Sequence, residues 1–254
     1  MLSSREPIPI IGTLSKESET IHAAMRISMD RYGSTSLDCA PRYGNLEQVA
    51  IAIRMLSPER ERVRITSKIN FARQEQSTVE QCVHMDIESI GVSYLDCYLI
   101  HSPRYLGYPT TWQDMQEVQR TGLVKEIGVA NFGFDELAKL SAPHPSVMQV
   151  SAFQYYSGCC PKPSASLRIE VYGLISCFFK LPNQSREVFT SLCSDMGMGF
   201  DEGILISSAH EGVVPVLGTS NQDRLKRQFK AYDRGFDQSE QGEVLSECLG
   251  RLYA

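Results

Sequence analysis

Long hydrophobic runs are missing from this sequence, and their absence limits what the protein can be. No stretch approaches the roughly 20 consecutive apolar residues that a helix needs to cross a bilayer. The first seven residues are polar, with one arginine and one glutamate, and they do not resemble a signal peptide. We therefore expect a cytoplasmic protein that spans no membrane.

An excess of positive charge is also missing. Lysine and arginine total 25 against 30 aspartate and glutamate residues, which gives a formal charge of −5. A nucleic-acid-binding protein needs a basic surface that neutralises phosphates, so this balance argues against that class. We expect small-molecule partners and no nucleic acid, and the sequence carries no indication of an oligomeric state.

Cysteine occurs eight times, yet no two cysteines have the C-x-x-C spacing of zinc or dithiol sites. Most of them stand in apolar stretches, where a free thiol behaves as a small hydrophobic side chain. The sequence therefore predicts reduced thiols in the core and no metal site.

A repeated pattern of a short apolar strand followed by an amphipathic helix runs along the chain. The predicted strands are 8–11, 36–39, 63–66, 97–100, 126–129, 147–150, 169–172 and 213–216, with helices at 17–32, 46–56, 79–91, 111–122 and 134–140. Eight βα repeats in about 250 residues are typical of an α/β protein with a (β/α)8 TIM barrel. No linker-like segment divides the chain, so we predict a single domain over residues 1–254.

Polar residues stand at the carboxyl ends of six successive strands, where (β/α)8 barrels carry their chemistry. They are Asp38, Lys68 directly after its strand, His101, Asn131, Gln149 and Tyr172. Each alone has an ordinary structural explanation, such as a helix cap, a solvated cation or a hydrogen-bonded histidine at the rim. Six such groups that converge on one pocket indicate a functional site.

Four segments carry a resemblance to a known family. They read LDCAPRYGNLE at 37–47, ITSK at 65–68, LDCYLIHSP at 95–103 and GLVKEIGVANF at 122–132. In this order and spacing they resemble the motifs of the aldo-keto reductases, NADP-dependent oxidoreductases built on the TIM barrel. The resemblance implies NADPH/NADP+ as cofactor and an aldehyde, a ketone or the corresponding alcohol as substrate.

The family's four catalytic residues correspond to Asp38, Tyr43, Lys68 and His101. Carbonyl reduction delivers a hydride to carbon and a proton to oxygen, and a free tyrosine with a pKa near 10 is a weak acid at neutral pH. The resemblance implies that Tyr43 donates the proton. The ammonium of Lys68 is expected to lower the pKa of Tyr43, Asp38 to hold Lys68, and His101 to orient the carbonyl oxygen.

The cofactor site also follows from the resemblance. Asn131 and Gln149 match residues that bind the nicotinamide carboxamide, and Tyr172 matches the aromatic that stacks on the nicotinamide ring. The segment after the last strand would hold the adenosine phosphate, and Arg224 would favour NADPH over NADH. The residues implied there are Gly218, Thr219, Ser220, Asn221, Arg224 and Gln228.

Three positions depart from the family pattern: Ala130, where serine is usual, Gly173, and Gly218, where lysine is common. These departures leave other functions open. The same barrel could carry acid–base chemistry without net redox, as in a cyclase, dehydratase or isomerase. It could also be a cofactor-sensing subunit like those of potassium channels, or an unrelated barrel enzyme.

Aromatic residues near the strand ends suggest an apolar substrate pocket, although simple packing would also explain them. They are Tyr105, Tyr108, Trp112, Phe153 and Tyr155. Segments 157–166 and 178–186 have the composition of loops, and we expect both on the active face of the barrel.

Overall fold

The computed structural model describes residues 7–69, 77–104, 107–237 and 239–253. Eight parallel strands pair in chain order, and the last strand pairs with the first to close a barrel. The strands are β1 (Ile10–Gly12), β2 (Thr35–Asp38), β3 (Val63–Ile69), β4 (Leu95–Ile100), β5 (Val124–Ala130), β6 (Val147–Ser151), β7 (Arg168–Tyr172) and β8 (Val214–Leu217). The predicted (β/α)8 TIM-barrel fold is confirmed.

Helices follow the strands and pack around the barrel. They are α1 (Ser18–Tyr32), α2 (Leu46–Leu56), α3 (Val79–Ile90), α4 (Tyr108–Arg120), α5 (Phe134–Leu137), α6 (Ala152–Tyr156), α7 (Leu174–Phe178), α8 (Asn183–Asp195), α9 (Phe200–His210), α10 (Gln222–Asp237) and α11 (Ser239–Tyr253). None of these helices is long and apolar enough to cross a membrane, a finding that covers the described residues only.

Local sequence explains where α3 begins and ends. Thr78 and Gln81 form a capping box: the Gln81 amide donates to Thr78 Oγ1 at 3.2 Å and the Thr78 amide donates to Gln81 Oε1 at 2.9 Å. Gly91 then ends the helix with φ 75°, in the left-handed region that glycine enters at no steric cost.

Strand β3 is longer than the sequence predicts, because it continues to Ile69. Lys68 therefore lies inside the strand rather than directly after it. Neighbouring side chains of a strand point to opposite faces. The Ser67 hydroxyl points outward and donates to Asp86 of α3 at 2.6 Å, while Lys68 points into the barrel and has no exposed surface.

A close contact between β5 and β6 depends on Gly128. A Cβ atom at this position would lie 2.1 Å from the carbonyl oxygen of Val147 and 2.9 Å from a methyl group of Leu99. No side chain fits at those distances. Gly128 thus lets the barrel close directly below the loop that contains Asn131.

Of the two segments predicted as loops on the active face, 157–166 has no helix and no named strand, as expected, whereas 178–186 is partly helical. Segment 178–186 includes the end of α7 and the start of α8, so only a short link within it is irregular. Segment 157–166 starts at the carboxyl ends of the strands, where the Cys159 carbonyl lies near Gly133, but it then descends the barrel. Its continuation reaches the opposite end, where the Arg168 amide donates to the carbonyl of Ser146 at 2.9 Å.

Candidate functional site

Four of the predicted site residues meet at the carboxyl ends of β2, β3 and β4. Lys68 Nζ donates to Asp38 Oδ1 at 2.5 Å and to the phenol oxygen of Tyr43 at 3.0 Å. The Tyr43 hydroxyl in turn donates to Asp38 Oδ2 at 3.0 Å. The rings of Tyr43 and His101 meet edge to face with centroids 6.1 Å apart. A buried ion pair, a phenol and an imidazole therefore form one cluster.

The backbone conformation after β2 explains why the Tyr43 side chain lies close to the end of that strand. Pro41 opens a single 3₁₀ turn, Pro41–Tyr43, and its fixed φ suits the first helical position. Gly44 ends the turn with φ 69°. The turn folds the Tyr43 side chain back over Asp38, five residues earlier in the chain.

The net pKa of Tyr43 is raised, although Lys68 acts on it in the expected direction. Burial raises the pKa of Tyr43, the negative charge of Asp38 raises it further, and the opposing effect of Lys68 is too small to reverse this. For Lys68, burial alone would lower the pKa, but Asp38 and Tyr43 raise it overall. Lys68 lowers the pKa of Tyr43, as predicted, but the net pKa is raised because a carboxylate and a buried environment both disfavour the phenolate.

His101 is held neutral. Burial lowers the pKa of His101 to about 4, the positive charges of Lys68 and Arg42 contribute to this, and Asp38 opposes it. At neutral pH a group with this pKa is uncharged, so one ring nitrogen carries a proton and the other accepts a hydrogen bond. The neutral ring suits the orientation of a carbonyl oxygen.

Asn131 adopts a backbone conformation that is uncommon outside glycine. Its φ is 65°, in the left-handed region that asparagine tolerates better than most residues. Its Nδ2 donates to the carbonyl of His101 at 3.0 Å, and its Oδ1 accepts from the hydroxyl of Tyr172 at 2.6 Å. Asn131 therefore links the ends of β4, β5 and β7.

Gln149 lies below the cluster rather than on the cavity surface, and it is 3% exposed. Its Nε2 donates to Asp38 Oδ1 at 2.8 Å and to Glu170 Oε2 at 3.1 Å. Glu170 has no exposed surface, and its other carboxylate oxygen accepts from Arg168 Nε at 3.3 Å. The sequence analysis missed Glu170. The available signal was the alternation in β7, which puts Arg168, Glu170 and Tyr172 on one face.

The predicted phosphate segment follows β8 and opens α10. Asn221 Oδ1 accepts from the backbone amide of Arg224 at 2.8 Å, as a helix cap does, and Thr219 Oγ1 accepts from the amide of Asn221 at 3.1 Å. Ser220 and Arg224 are exposed, whereas Gln228 is buried within α10. The turn and the helix start leave backbone amides and a guanidinium available to an anion.

Lys16 is a second residue that the sequence analysis did not identify. It follows β1, which pairs with β8, and its Nζ donates to the carbonyl of Gly218 at 2.9 Å. Burial lowers the pKa of Lys16. A lysine from the first loop thus brings an ammonium to Gly218, the position where the family often has a lysine of its own.

A cavity of about 510 Å³ opens above the cluster at the carboxyl ends of the strands. It is lined by Leu14, Arg42, Tyr43, His101, Ser102, Pro103, Arg104, Asn131 and Tyr172. The volume lies within the usual range for small-molecule sites.

The aromatic residues that were proposed from sequence and that the structure describes are not among the lining residues of this cavity. Tyr108, Trp112 and Tyr155 are buried in the core, and Phe153 is exposed outside the cavity. Tyr105 lies outside the described residues. The packing explanation therefore holds for the buried three, because their side chains are enclosed by neighbouring helices.

Metal ligands are not grouped in this structure. Within residues 7–69, 77–104, 107–237 and 239–253, no three His, Cys, Asp or Glu side chains are placed to hold a metal ion. All eight cysteines are free thiols, and Cys159 is the exposed one among them.

Fold and site together define a (β/α)8-barrel protein with an acid–base cluster at the carboxyl ends of its strands. The sequence profile of the Aldo/keto reductase family matches residues 12–157, more than half of the chain. The chain belongs to the aldo/keto reductase family.

Two curated relatives are similar over most of their length. The NAD/NADP-dependent indole-3-acetaldehyde reductase of Schizosaccharomyces pombe is 30% identical over 241 residues, which cover 87% of this chain and 84% of the relative. The glyoxal reductase of Bacillus subtilis is 25% identical over 242 residues, which cover 91% of this chain and 83% of the relative.

Solved structures agree on the fold. An aldo/keto reductase from Brucella melitensis superposes with a TM-score of 0.75 at 20% identity, covering 96% of this chain and 94% of that one. An aldo-keto reductase of Bombyx mori in complex with NADP gives a TM-score of 0.73 at 20% identity, with coverage of 95% and 89%.

Proposed function

We propose that this protein reduces an aldehyde or ketone with NADPH, or oxidises the corresponding alcohol with NADP+, and that Tyr43 supplies the proton. The observation that carries the proposal is the position of the Tyr43 phenol. It lies 3.0 Å from Lys68 Nζ and 3.0 Å from Asp38, at a cavity that His101 and Tyr172 also line.

NADPH, when bound, supplies the hydride that no side chain can provide. Tyr43 is protonated at neutral pH, as any phenol with a pKa near 10 is, and its raised pKa keeps the proton in place until negative charge develops on the substrate oxygen. Its hydroxyl turns from Asp38 toward the carbonyl oxygen as negative charge develops there. Lys68 then stabilises the phenolate through the 3.0 Å contact, and Asp38 holds the ammonium in place. Neutral His101 donates a hydrogen bond to the carbonyl oxygen and fixes its direction.

The residues near the cavity fit the nicotinamide end of NADPH. Tyr172 lines the cavity and offers a ring for stacking, while Asn131 offers an amide beside it. Gln149 has its nitrogen committed to two carboxylates, so only its oxygen is left to accept from the carboxamide.

The other end of the cofactor fits the loop after β8. The exposed hydroxyl of Ser220, the backbone of Gly218 and the amides at the start of α10 would bind phosphate, with Thr219 and Asn221 shaping the turn. Arg224 would select the additional phosphate of NADPH. Buried Gln228 packs α10 behind this loop.

The eight free thiols support a reducing compartment, and we place the protein in the cytoplasm with a small molecule, not nucleic acid, as its partner. The proposal treats residues 1–254 as one domain. Limited proteolysis tests this part: a single resistant fragment is expected, whereas two stable fragments would contradict it.

The decisive experiment is a fluorescence titration of the purified protein with NADPH and NADH, followed by absorbance at 340 nm with a panel of aldehydes and ketones. Tighter binding of NADPH and carbonyl-dependent oxidation are expected. Cofactor binding without turnover on any carbonyl would favour a sensing subunit over an enzyme. Failure to bind either cofactor would overturn the proposal in favour of a non-redox barrel.

A further inference from the structure

Two arginines stand in the wall of the cavity, and no carboxylate is among its described lining residues. Arg42 and Arg104 are both among the lining residues, and both are exposed. The other described lining residues have neutral side chains, including His101 with its pKa lowered to about 4. The acidic residue nearest the reaction centre, Asp38, is 3% exposed below the floor and paired with Lys68. The described part of the cavity lining therefore carries positive charge.

The position of Arg104 in the barrel separates it from the cofactor phosphates. Arg42 directly precedes Tyr43 after β2, and Arg104 comes three residues after His101 at the end of β4. In a closed barrel of eight strands, β4 lies directly opposite β8. The phosphate loop follows β8, so Arg104 faces the cavity from the far side. The two guanidinium groups border the space left for the carbonyl substrate.

Neither guanidinium is neutralised by a protein partner in the described part of the chain. No acidic side chain there forms a salt bridge with Arg42 or Arg104, whereas Arg31, Arg64 and Arg168 each pair with a carboxylate. The field of Arg42 also reaches the reaction centre, because its charge contributes to the lowered pKa of His101. An anionic group on the substrate would meet two cations that have no acidic partner among the described residues, beside the reacting carbonyl.

We infer that the preferred substrates are aldehydes or ketones that carry a carboxylate, which Arg42 and Arg104 bind while Tyr43 protonates the carbonyl oxygen. This inference rests on the proposed reductase function and names its substrate class. A guanidinium binds a carboxylate through two parallel hydrogen bonds, so the arginines would set the direction of the substrate as well as its affinity.

The test uses two probes with one carbon skeleton, 4-formylbenzoate and its neutral methyl ester, with NADPH oxidation followed at 340 nm. The wild-type protein is expected to prefer the carboxylate in kcat/KM by about tenfold. The preference should shrink as salt rises from about 0.02 M to about 0.5 M, because salt screens exposed charges. Equal or faster reduction of the ester would overturn the inference and leave the reductase function intact.

Variants assign the effect to the two side chains. Arg42→Gln and Arg104→Gln should each lower the ratio of the two kcat/KM values by about threefold to fivefold. The matched control is Arg54→Gln on the exposed side of α2, which should keep both values at the wild-type level. A ratio that stays unchanged in both cavity variants would overturn the role of the arginines. No NADPH oxidation with either probe or any other carbonyl would overturn the proposed function and this inference with it.

Discussion

Glu170 holds Gln149 by a 3.1 Å hydrogen bond inside the barrel, and the same Gln149 nitrogen donates to the carboxylate of Asp38 at 2.8 Å. One amide nitrogen therefore joins two buried carboxylates and offsets part of the repulsion between their negative charges. The positive charge of Arg168 compensates the negative charge of Glu170. Hydrogen bonds thus connect the acid–base cluster to polar residues deeper in the barrel. Substitution of Glu170 is therefore expected to affect catalysis at the cluster.

Glu170→Gln is the first prediction. The variant keeps the shape of Glu170 but removes the charge that accepts from Gln149 and pairs with Arg168. We expect kcat to fall about tenfold with little change in KM, because charge-assisted hydrogen bonds of this kind contribute about 1.5–3 kcal/mol. Steady-state kinetics with one carbonyl substrate measures the effect.

The control for Glu170 is Glu247→Gln on α11, where an exposed pair with Arg251 contributes little to stability. Activity of this variant should match the wild type. A Glu170→Gln protein that loses thermal stability but keeps its kcat would show a structural role only.

Tyr43→Phe removes the proton donor and keeps the ring. We expect kcat to fall by about 100-fold to 10,000-fold, while the dissociation constant for NADPH changes by less than about twofold. Fluorescence titration and absorbance at 340 nm give the two values. Tyr94→Phe is the matched control, since Tyr94 stacks with Arg60 and Lys125 instead of lining the cavity, and it should remain active. Unimpaired reduction by Tyr43→Phe would remove Tyr43 from the mechanism.

Arg224→Gln and Lys16→Gln should weaken cofactor binding in different ways. Arg224 is exposed beside the phosphate loop, so its loss should raise the dissociation constant of NADPH about tenfold and leave that of NADH unchanged. Lys16 holds the loop through the carbonyl of Gly218, so its loss should weaken both cofactors alike. Parallel titrations separate the two patterns, and an equal loss for both cofactors in Arg224→Gln would refute selection by this arginine.

His101 should make stability depend on pH below neutrality. Its pKa is about 4 in the folded protein, against about 6.5 in an unfolded chain. Between these values the unfolded chain binds more protons, so this contribution to the unfolding free energy is lost as the pH falls from about 6.5 toward 4. In His101→Gln the decrease between pH 7 and pH 4.5, measured by urea unfolding, should be smaller than in the wild type. Parallel curves for the two proteins would contradict the lowered pKa.

Gly128→Ala should destabilise the barrel strongly. The added methyl group would lie 2.1 Å from the Val147 carbonyl oxygen, and relief requires β5 and β6 to separate. We expect a loss of about 3 kcal/mol in unfolding free energy, or failure to fold. Gly250→Ala on α11 is the control, because nothing lies within 4 Å of its added methyl and alanine favours helix by up to about 1 kcal/mol. Equal stability of the two variants would contradict the close contact.

The prediction of the fold from sequence was accurate where local patterns are strong. The bounds of α2, Leu46–Leu56, agree with the predicted helix because its apolar residues recur at helical spacing. Strand β3 was predicted three residues short, since Ser67 and Lys68 are polar and resemble a loop. Their burial depends on partners from α3 and β2, which are distant in sequence.

The functional site, like the fold, was predicted where local patterns are strong and missed where contacts between distant residues decide. Motifs and strand ends were sufficient to select Asp38, Tyr43, Lys68 and His101, because a barrel brings the carboxyl ends of its strands to one face. Glu170 and Lys16 were missed, since each contacts a residue far away in the chain and neither stands in a recognisable motif.

The pKa values of the site residues and the charge of the cavity lining became apparent only in the three-dimensional structure. The raised pKa of Tyr43 depends on burial and on the distances to Asp38 and Lys68 together, and a sequence gives neither. The cavity that the sequence suggested as apolar is bordered by Arg42 and Arg104, whereas Tyr108, Trp112 and Tyr155 are buried in the core. Local sequence patterns were thus enough to predict the barrel and its reactive groups. The interaction partners and the charge states of these groups were decided by the tertiary structure, because electrostatic energies depend on distance and on exclusion of water.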